Sequence, residues 1–109
     1  LDVIRDRNSL YRPVANDLIE NVYTLKVMNM DQNPHVYEVT VHGLEDLQLI
    51  KDQAIEAAPG SVVDVPVRLR VPLEQLSRQS STITFQLTAQ DNPQLTVTEE
   101  ARFLGPMRL

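Results

Sequence analysis

The chain has 109 residues, 42% hydrophobic and 23% charged, a size and composition that suit one domain with one core. Acidic residues outnumber basic ones by 15 to 10, and the resulting net charge of -5 argues against binding to polyanionic nucleic acids. The absence of cysteine excludes a disulfide framework, thiolate metal ligands and iron–sulfur ligands within this sequence.

The sequence has no segment that predicts membrane insertion or export. No apolar run approaches the roughly 20 residues that a membrane helix needs. No basic start followed by an apolar region indicates a signal peptide. Because the first residue is Leu1 rather than methionine, we expect a fragment of a longer chain, whose anchor would lie elsewhere.

The opening segment, residues 1–12, has the composition of an edge strand with a break at Asn8 and Ser9. Pro13 is expected to end this strand, because proline cannot donate to a sheet ladder. Asn16 and Asp17 then predict a turn.

The stretch 18–43 predicts two long strands joined by a short polar turn at 29–34, as in a β-hairpin. Apolar and polar residues alternate on both sides of the turn, so each strand has one apolar face. The residues expected at the centre of the core are Tyr23, Leu25, Val27, Tyr37, Val39 and Val41.

Weaker patterns follow the hairpin. Glu45 and Asp46 predict a turn before a short strand, with a helical turn as the alternative. Residues 54–58 are a short piece of weak pattern, and Pro59 with Gly60 predicts another turn.

Residues 61–72 alternate clearly and predict a strand. Pro66 inside this strand favours an edge position or a bulge. Arg68 and Arg70 are expected on a solvated face.

The C-terminal third begins with residues 72–76, which predict a short helical turn that crosses between two sheets. A polar loop at 79–81 and a strand over 82–89 follow. After a turn at 91–93, residues 94–103 predict a last strand, with a bulge near Glu99 because this residue interrupts the apolar register.

About seven strands at even spacing, without a long helix, predict an all-β fold of the immunoglobulin-like antiparallel β-sandwich class. The whole chain, residues 1–109, is expected to form this single domain.

The sequence offers no combination of residues typical of an enzyme. His35 and His42 are the two histidines, and neither is accompanied by a nucleophile motif. The three glycines, Gly43, Gly60 and Gly105, form no phosphate or dinucleotide loop. We therefore expect no catalysis in this domain.

Met28, Met30 and His35 lie around the predicted hairpin turn, and thioether and imidazole ligands suit copper. The alternative is that the two methionines simply pack against a neighbouring loop. Both interpretations remain open at this point, and no other metal or cofactor site is predicted.

Several strings resemble the C-terminal domain of FixG-related proteins, a family also called CcoG or RdxA. They are VIRDRN at 3–8, LYR at 10–12, IENVYTLK at 19–26 with the following Met28 and Asn29, and RFLGP at 102–106. The resemblance runs from one end of the chain to the other.

The resemblance implies a bacterial parent protein of the inner membrane, with several membrane helices and two [4Fe-4S] clusters that serve electron transfer. Such proteins assist assembly of the cbb3-type cytochrome c oxidase, with copper reduction as the proposed chemistry. The resemblance also implies that the present domain follows the last membrane helix, on the periplasmic side. Because the chain has no cysteine, none of the cluster ligands can lie within it.

Three functional hypotheses follow. The first is a non-catalytic interaction or positioning domain that contacts the rest of the parent chain or an oxidase assembly component. The second is a domain that handles copper directly through Met28, Met30 and His35. The third is an adhesin- or chaperone-like binding module without a link to redox chemistry.

Overall fold

A computed structural model describes residues 1–5, 11–50 and 54–106, and these residues form two antiparallel sheets. The first sheet contains β1 (Asp2–Arg5), β2 (Arg12–Val14), β3 (Leu18–Met28), β5 (Gln48–Ile50) and β7 (Val62–Pro72). The second contains β4 (His35–His42), β6 (Ala54–Ala57), β8 (Ser80–Ala89) and β9 (Thr96–Leu104).

The strands are ordered β1-β3-β7-β5 in the first sheet, where β2 pairs with the other end of β3, and β6-β4-β8-β9 in the second. The prediction of an all-β sandwich is confirmed. The described residues contain nine strands rather than about seven. The difference arises because the opening segment supplies two short strands and the weak piece at 54–57 pairs with β4.

The core lies between the sheets, where the period-two pattern places alternate side chains of every long strand. Five of the six predicted central residues are buried, and Val41 is half-buried against the same cluster. The rings of Tyr23 and Phe85 meet edge to face, with centroids 5.2 Å apart, and so join β3 to β8 across the core.

The hairpin predicted over 18–43 is wrong, although both of its strands form. Strand β3 pairs with β7 along all of its length, from Leu18 opposite Pro72 to Met28 opposite Val62. Strand β4 lies in the other sheet, between β6 and β8. The link between β3 and β4 therefore crosses the sandwich. Alternation along a strand shows which face is buried, but it does not show which strand is its neighbour.

Three smaller expectations also differ from the structure. Pro13 lies inside β2, at the edge of the sheet, opposite Ile19. The register of β8 and β9 is continuous through Phe85 opposite Glu99, so the predicted bulge is absent. Ser80 begins β8 within the expected loop. The expected break at residues 8–9 falls outside the described residues.

Pro66 lies in the unbroken ladder between β3 and β7, opposite Thr24, and that ladder contains no bulge. Strand β5 pairs with β7 only at Arg68, Leu69 and Arg70. In the part of the chain that the structure describes, Pro66 thus has a ladder partner on one side only, which a proline tolerates.

The turns predicted at 16–17, 45–46 and 59–60 are confirmed. Asn16, Asp17 and Asp46 have φ values of 67°, 56° and 59°, a conformation that Asn and Asp adopt more readily than most residues. Gly43 ends β4 at a φ of 126°, and a Cβ atom there would lie 2.8 Å from the Thr82 carbonyl oxygen.

The crossing from β7 to β8 uses a 3₁₀ turn over Leu73–Gln75, as the sequence predicted. Among the described residues, no helix has the length and apolar character needed to cross a membrane.

Side chains of β3 bind the backbone of β9 and thereby join the two sheets. The Asn21 amide donates to the Leu104 carbonyl oxygen and accepts from the Leu104 N–H, both at 2.8 Å. The Tyr23 hydroxyl donates to the Arg102 carbonyl oxygen at 2.8 Å, and burial raises the pKa of this phenol.

A buried carboxylate on the outer face of the first sheet holds three strands together. Glu20 is 1% exposed and lies directly between Arg12 of β2 and Arg70 of β7 in the ladders. The Nε atoms of the two arginines donate to its two oxygens at 2.6 and 2.7 Å. Arg70 is therefore half-buried and paired, whereas Arg68 lies on the solvated face as expected.

Burial raises the pKa of Glu20, but the hydrogen bonds from Arg70 and Arg12 outweigh it and leave the pKa below its ordinary value of 4.5. The stabilisation by this group is therefore fully present above pH 4.5 and declines as the pH falls through the lowered pKa of the folded state.

We predict that Glu20→Gln lowers the free energy of unfolding by about 2 kcal/mol at neutral pH, because it removes charge-assisted hydrogen bonds from a buried site. Denaturant unfolding measures this change, and Glu56→Gln on the exposed face of β6 is the matched control. The difference from wild type should shrink in acid. A difference that is the same at pH 7 and below the folded pKa would contradict this account.

Candidate functional site

One end of the sandwich carries a buried histidine between two carboxylates. His35, at the start of β4, is 6% exposed. Its Nδ1 lies 2.9 Å from Oδ1 of Asp91, which follows β8, and its Nε2 lies 2.7 Å from Oδ2 of Asp31 in the β3–β4 link. Because ionised carboxylates only accept hydrogen bonds, an imidazolium that donates from both nitrogens satisfies this geometry best.

The charge of this cluster agrees with its geometry. The hydrogen bonds to Asp31 and Asp91 raise the pKa of His35 above its ordinary value of 6.5, and the same contact with His35 lowers the pKa of Asp31. The Tyr37 ring lies 5.9 Å from the imidazole, and burial raises the pKa of its hydroxyl, as do the two aspartates.

Asn29 shapes the link that brings Asp31 to His35. Its side-chain amide is buried and donates to the carbonyl oxygens of Asn33 and Ala57, both at 2.9 Å. Its Oδ1 accepts from the Asp31 N–H at 2.9 Å. Its backbone also pairs with Gly60 and Ser61 in the turn before β7. The link is thus bound to both sheets.

An open groove of about 300 Å³ lies beside the cluster. Much of its wall is formed by apolar side chains from three segments of the chain. Leu1 is half-buried, whereas Met28, Met30, Leu95 and Val97 are exposed. Met30 is 90% exposed, and Val97 is 46% exposed. Asp31 also lines the groove and connects it to His35.

The structure divides the three residues predicted as copper candidates into two environments. Met28 and Met30 open onto the groove, whereas His35 is buried outside it with both ring nitrogens engaged by carboxylates. Within residues 1–5, 11–50 and 54–106, no group of three or more His, Cys, Asp or Glu residues could hold a metal ion.

The cluster is suited to holding two loops together rather than to acid–base chemistry. An imidazolium with both N–H groups donated to carboxylates offers no lone pair to a proton or a metal ion. Sequence reasoning identified His35 but missed its partners Asp31 and Asp91. Both were recognised only as turn residues, and Asp91 is 56 positions from His35.

Comparison with known proteins finds a family model and a similar structure that each cover nearly all of the chain. The family model described as "IG-like fold at C-terminal of FixG, putative oxidoreductase" matches residues 1–106. A crystal structure of a FixG-related protein from Vibrio parahaemolyticus is similar, with 40% identity, a TM-score of 0.84, and coverage of 97% of this chain and 94% of that one.

A protein from Archaeoglobus fulgidus shares the fold, with 15% identity, a TM-score of 0.53, and coverage of 99% of this chain and 98% of the other. A comparison with curated protein sequences gives no match.

We predict that His35 titrates above pH 6.5 and that Asp31→Asn or Asp91→Asn lowers its pKa. Proton NMR of the ring measures this, with His42→Gln to assign the two histidine signals. Glu74→Gln in the 3₁₀ turn, near the β2–β3 turn at the other end of the sandwich, is the matched control.

Since the folded-state pKa is raised, the stabilisation from His35 is full below pH 6.5 and declines as the pH rises through the folded value. The difference in the free energy of unfolding between wild type and the less stable His35→Gln variant should thus be largest in mild acid. A difference that grows with rising pH would refute the imidazolium assignment.

Proposed function

Because the chain belongs to the family of IG-like domains at the C-terminus of FixG, we propose that it is a non-catalytic interaction and positioning domain of a redox protein. The observation that supports this role most directly is the exposed apolar groove between Leu1, Met28 and Val97. Exposed apolar side chains gathered at one place on a domain are typical of a contact with another protein.

We further propose what kind of protein the parent is and where it is located. The parent would be a bacterial inner-membrane protein with two [4Fe-4S] clusters that assists assembly of the cbb3-type cytochrome c oxidase. Since the present chain has no cysteine, those clusters would be held by other parts of the parent. The domain would face the periplasm and contact the rest of the parent chain or an oxidase assembly component.

The family match favours this role over an adhesin- or chaperone-like module without a redox parent. The sequence upstream of the domain would separate the two, because the redox parent requires membrane helices and clustered cysteines there.

A second candidate function is direct copper handling. It is supported by the exposure of two thioethers, those of Met28 and Met30, on one groove. His35 could contribute only after releasing Asp31 or Asp91, because both of its nitrogens are engaged. This requirement makes the interaction role the better supported of the two.

We predict that deleting the domain from the parent leaves the iron–sulfur clusters intact but weakens oxidase assembly, because only a contact surface is lost. Visible and EPR spectra of the parent report the clusters, and oxidase content and activity of the membranes report assembly. A parent in which an unrelated β-sandwich of similar size replaces the domain is the control for truncation. Wild-type assembly in the deletion strain would refute the proposed role.

For the copper alternative, the chain is titrated with Cu(I) against a chromophoric chelator. Copper handling predicts that the domain withdraws Cu(I) from the chelator and that Met28→Leu with Met30→Leu abolishes this competition, since leucine keeps the size but removes the sulfur ligand. His42→Gln, away from the groove, is the control. Absence of competition at micromolar protein would exclude this function.

A further inference from the structure

The β9 strand has one edge paired with β8 and one edge facing away from it, and the alternation of an antiparallel ladder assigns each backbone group to one of these edges. The Leu95 carbonyl accepts from Ala89, and the Gly105 N–H donates to Gln79, so odd-numbered residues point toward β8. Even-numbered residues of β9 therefore point toward the outer edge.

Among the residues that the structure describes, this outer edge is closed along one half only. At the end nearest the C-terminus, Tyr23 and Asn21 occupy the backbone groups of Arg102 and Leu104. Among the described residues, no group binds the outward N–H and C=O of Thr98 or Glu100. The open half of the edge thus ends where the side chains of β3 begin to close it.

The open half adjoins the apolar groove. Leu95, Thr96 and Val97 line the groove, and the next residues of the same strand have the open backbone groups. Val97 and Glu99 lie opposite Leu87 and Phe85, on the face of β9 that looks between the sheets, yet both are exposed. A strand added to this edge would place alternate side chains over the groove.

The charge near this edge selects among possible occupants. Glu99 and Glu100 are exposed beside the open backbone groups. A second copy of this chain, paired antiparallel over residues 96–100, would place Glu99 of one copy diagonally across from Glu99 of the other, on the same face, and would bring four carboxylates to the joined edge. These like charges disfavour a second copy, so the occupant should be basic.

We propose that the outer edge of β9 over residues 96–100 binds an extended peptide segment of a partner protein, which adds a strand to the second sheet. An apolar side chain of the segment enters the groove between Met28 and Val97, and its basic side chains, which lie on the opposite face, pair with Glu100. This proposal rests on the interaction role and identifies the surface and the chemistry of the partner.

The test uses a short blocked peptide of alternating lysine and valine, titrated into the isotope-labelled 109-residue chain to on the order of 1 mM. We expect saturable amide shifts confined to residues 95–100 and the groove. An analogue with glutamate in place of lysine should bind about tenfold more weakly or not at all. Equal binding of the two peptides, or shifts elsewhere on the sandwich, would overturn the proposal.

Three variants and one control test the strand addition itself. Thr98→Pro removes an N–H that points away from β8, so the fold is retained while binding weakens by about tenfold. Val97→Lys places a charge in the groove and should weaken binding by a similar factor, which keeps the test decisive if the proline variant unfolds. Glu100→Lys should also weaken binding, and Glu56→Lys on β6 gives the same charge change on another edge and should not. Unchanged binding in Val97→Lys and Glu100→Lys would refute the assigned surface.

Experiments on the parent protein distinguish an error in the assigned surface from an error in the proposed interaction role. If the domain deletion impairs oxidase assembly while Val97→Lys and Glu100→Lys do not, the domain acts through a different surface. If the deletion itself has no effect, the interaction role is wrong irrespective of the peptide result.

Discussion

The hydrogen bonds from Asn21 and Tyr23 to the backbone of β9 are the constraint on which much of this structure depends. The chain has no cysteine, so no disulfide joins the two sheets. Instead, the Asn21 amide pairs with both backbone groups of Leu104, as a strand would, while the Tyr23 ring packs on Phe85. The same strand, β3, pairs with β7 along its full length. These contacts fix β9 relative to β3 and determine which part of the β9 edge is already occupied.

The sequence predicts the strands well because burial follows a period of two, and that period requires no knowledge of the rest of the chain. The inward faces of β3 and β4 are read correctly in this way. The turn at Asp46 and the 3₁₀ crossing are also read correctly, from the local preferences of their residues. Pairing is different, because it depends on which strand lies alongside. The link between β3 and β4 contains Asn and Pro, which suit a hairpin turn and a crossing between sheets equally well. In the structure, the buried side-chain amide of Asn29 donates to the Ala57 carbonyl oxygen and so binds the link to the other sheet.

The candidate site was only partly predictable for the same reason. His35 was identified because histidine and methionine near a turn suggest metal chemistry, but its environment depends on Asp91, 56 residues further along the chain. Once two carboxylates surround it, the imidazole holds two loops together and leaves the methionines to form an apolar wall. Glu20 shows the same limitation, since its neighbours Arg12 and Arg70 meet it only through two separate ladders.

The charged, half-open edge of β9 can resist aggregation and still bind a partner. An unpaired edge of nine residues would invite pairing with any exposed strand, and proteins commonly prevent this with charges that point inward or lie along the edge. Glu99 has such a position, opposite the buried Phe85. The charge that repels a second copy does not repel a basic segment, so a single residue type can suppress aggregation and select a partner. Because Asn21 and Tyr23 close the remaining edge, the part left available by the described residues is the one beside the apolar groove. An incoming strand gains side-chain contacts there as well as backbone hydrogen bonds.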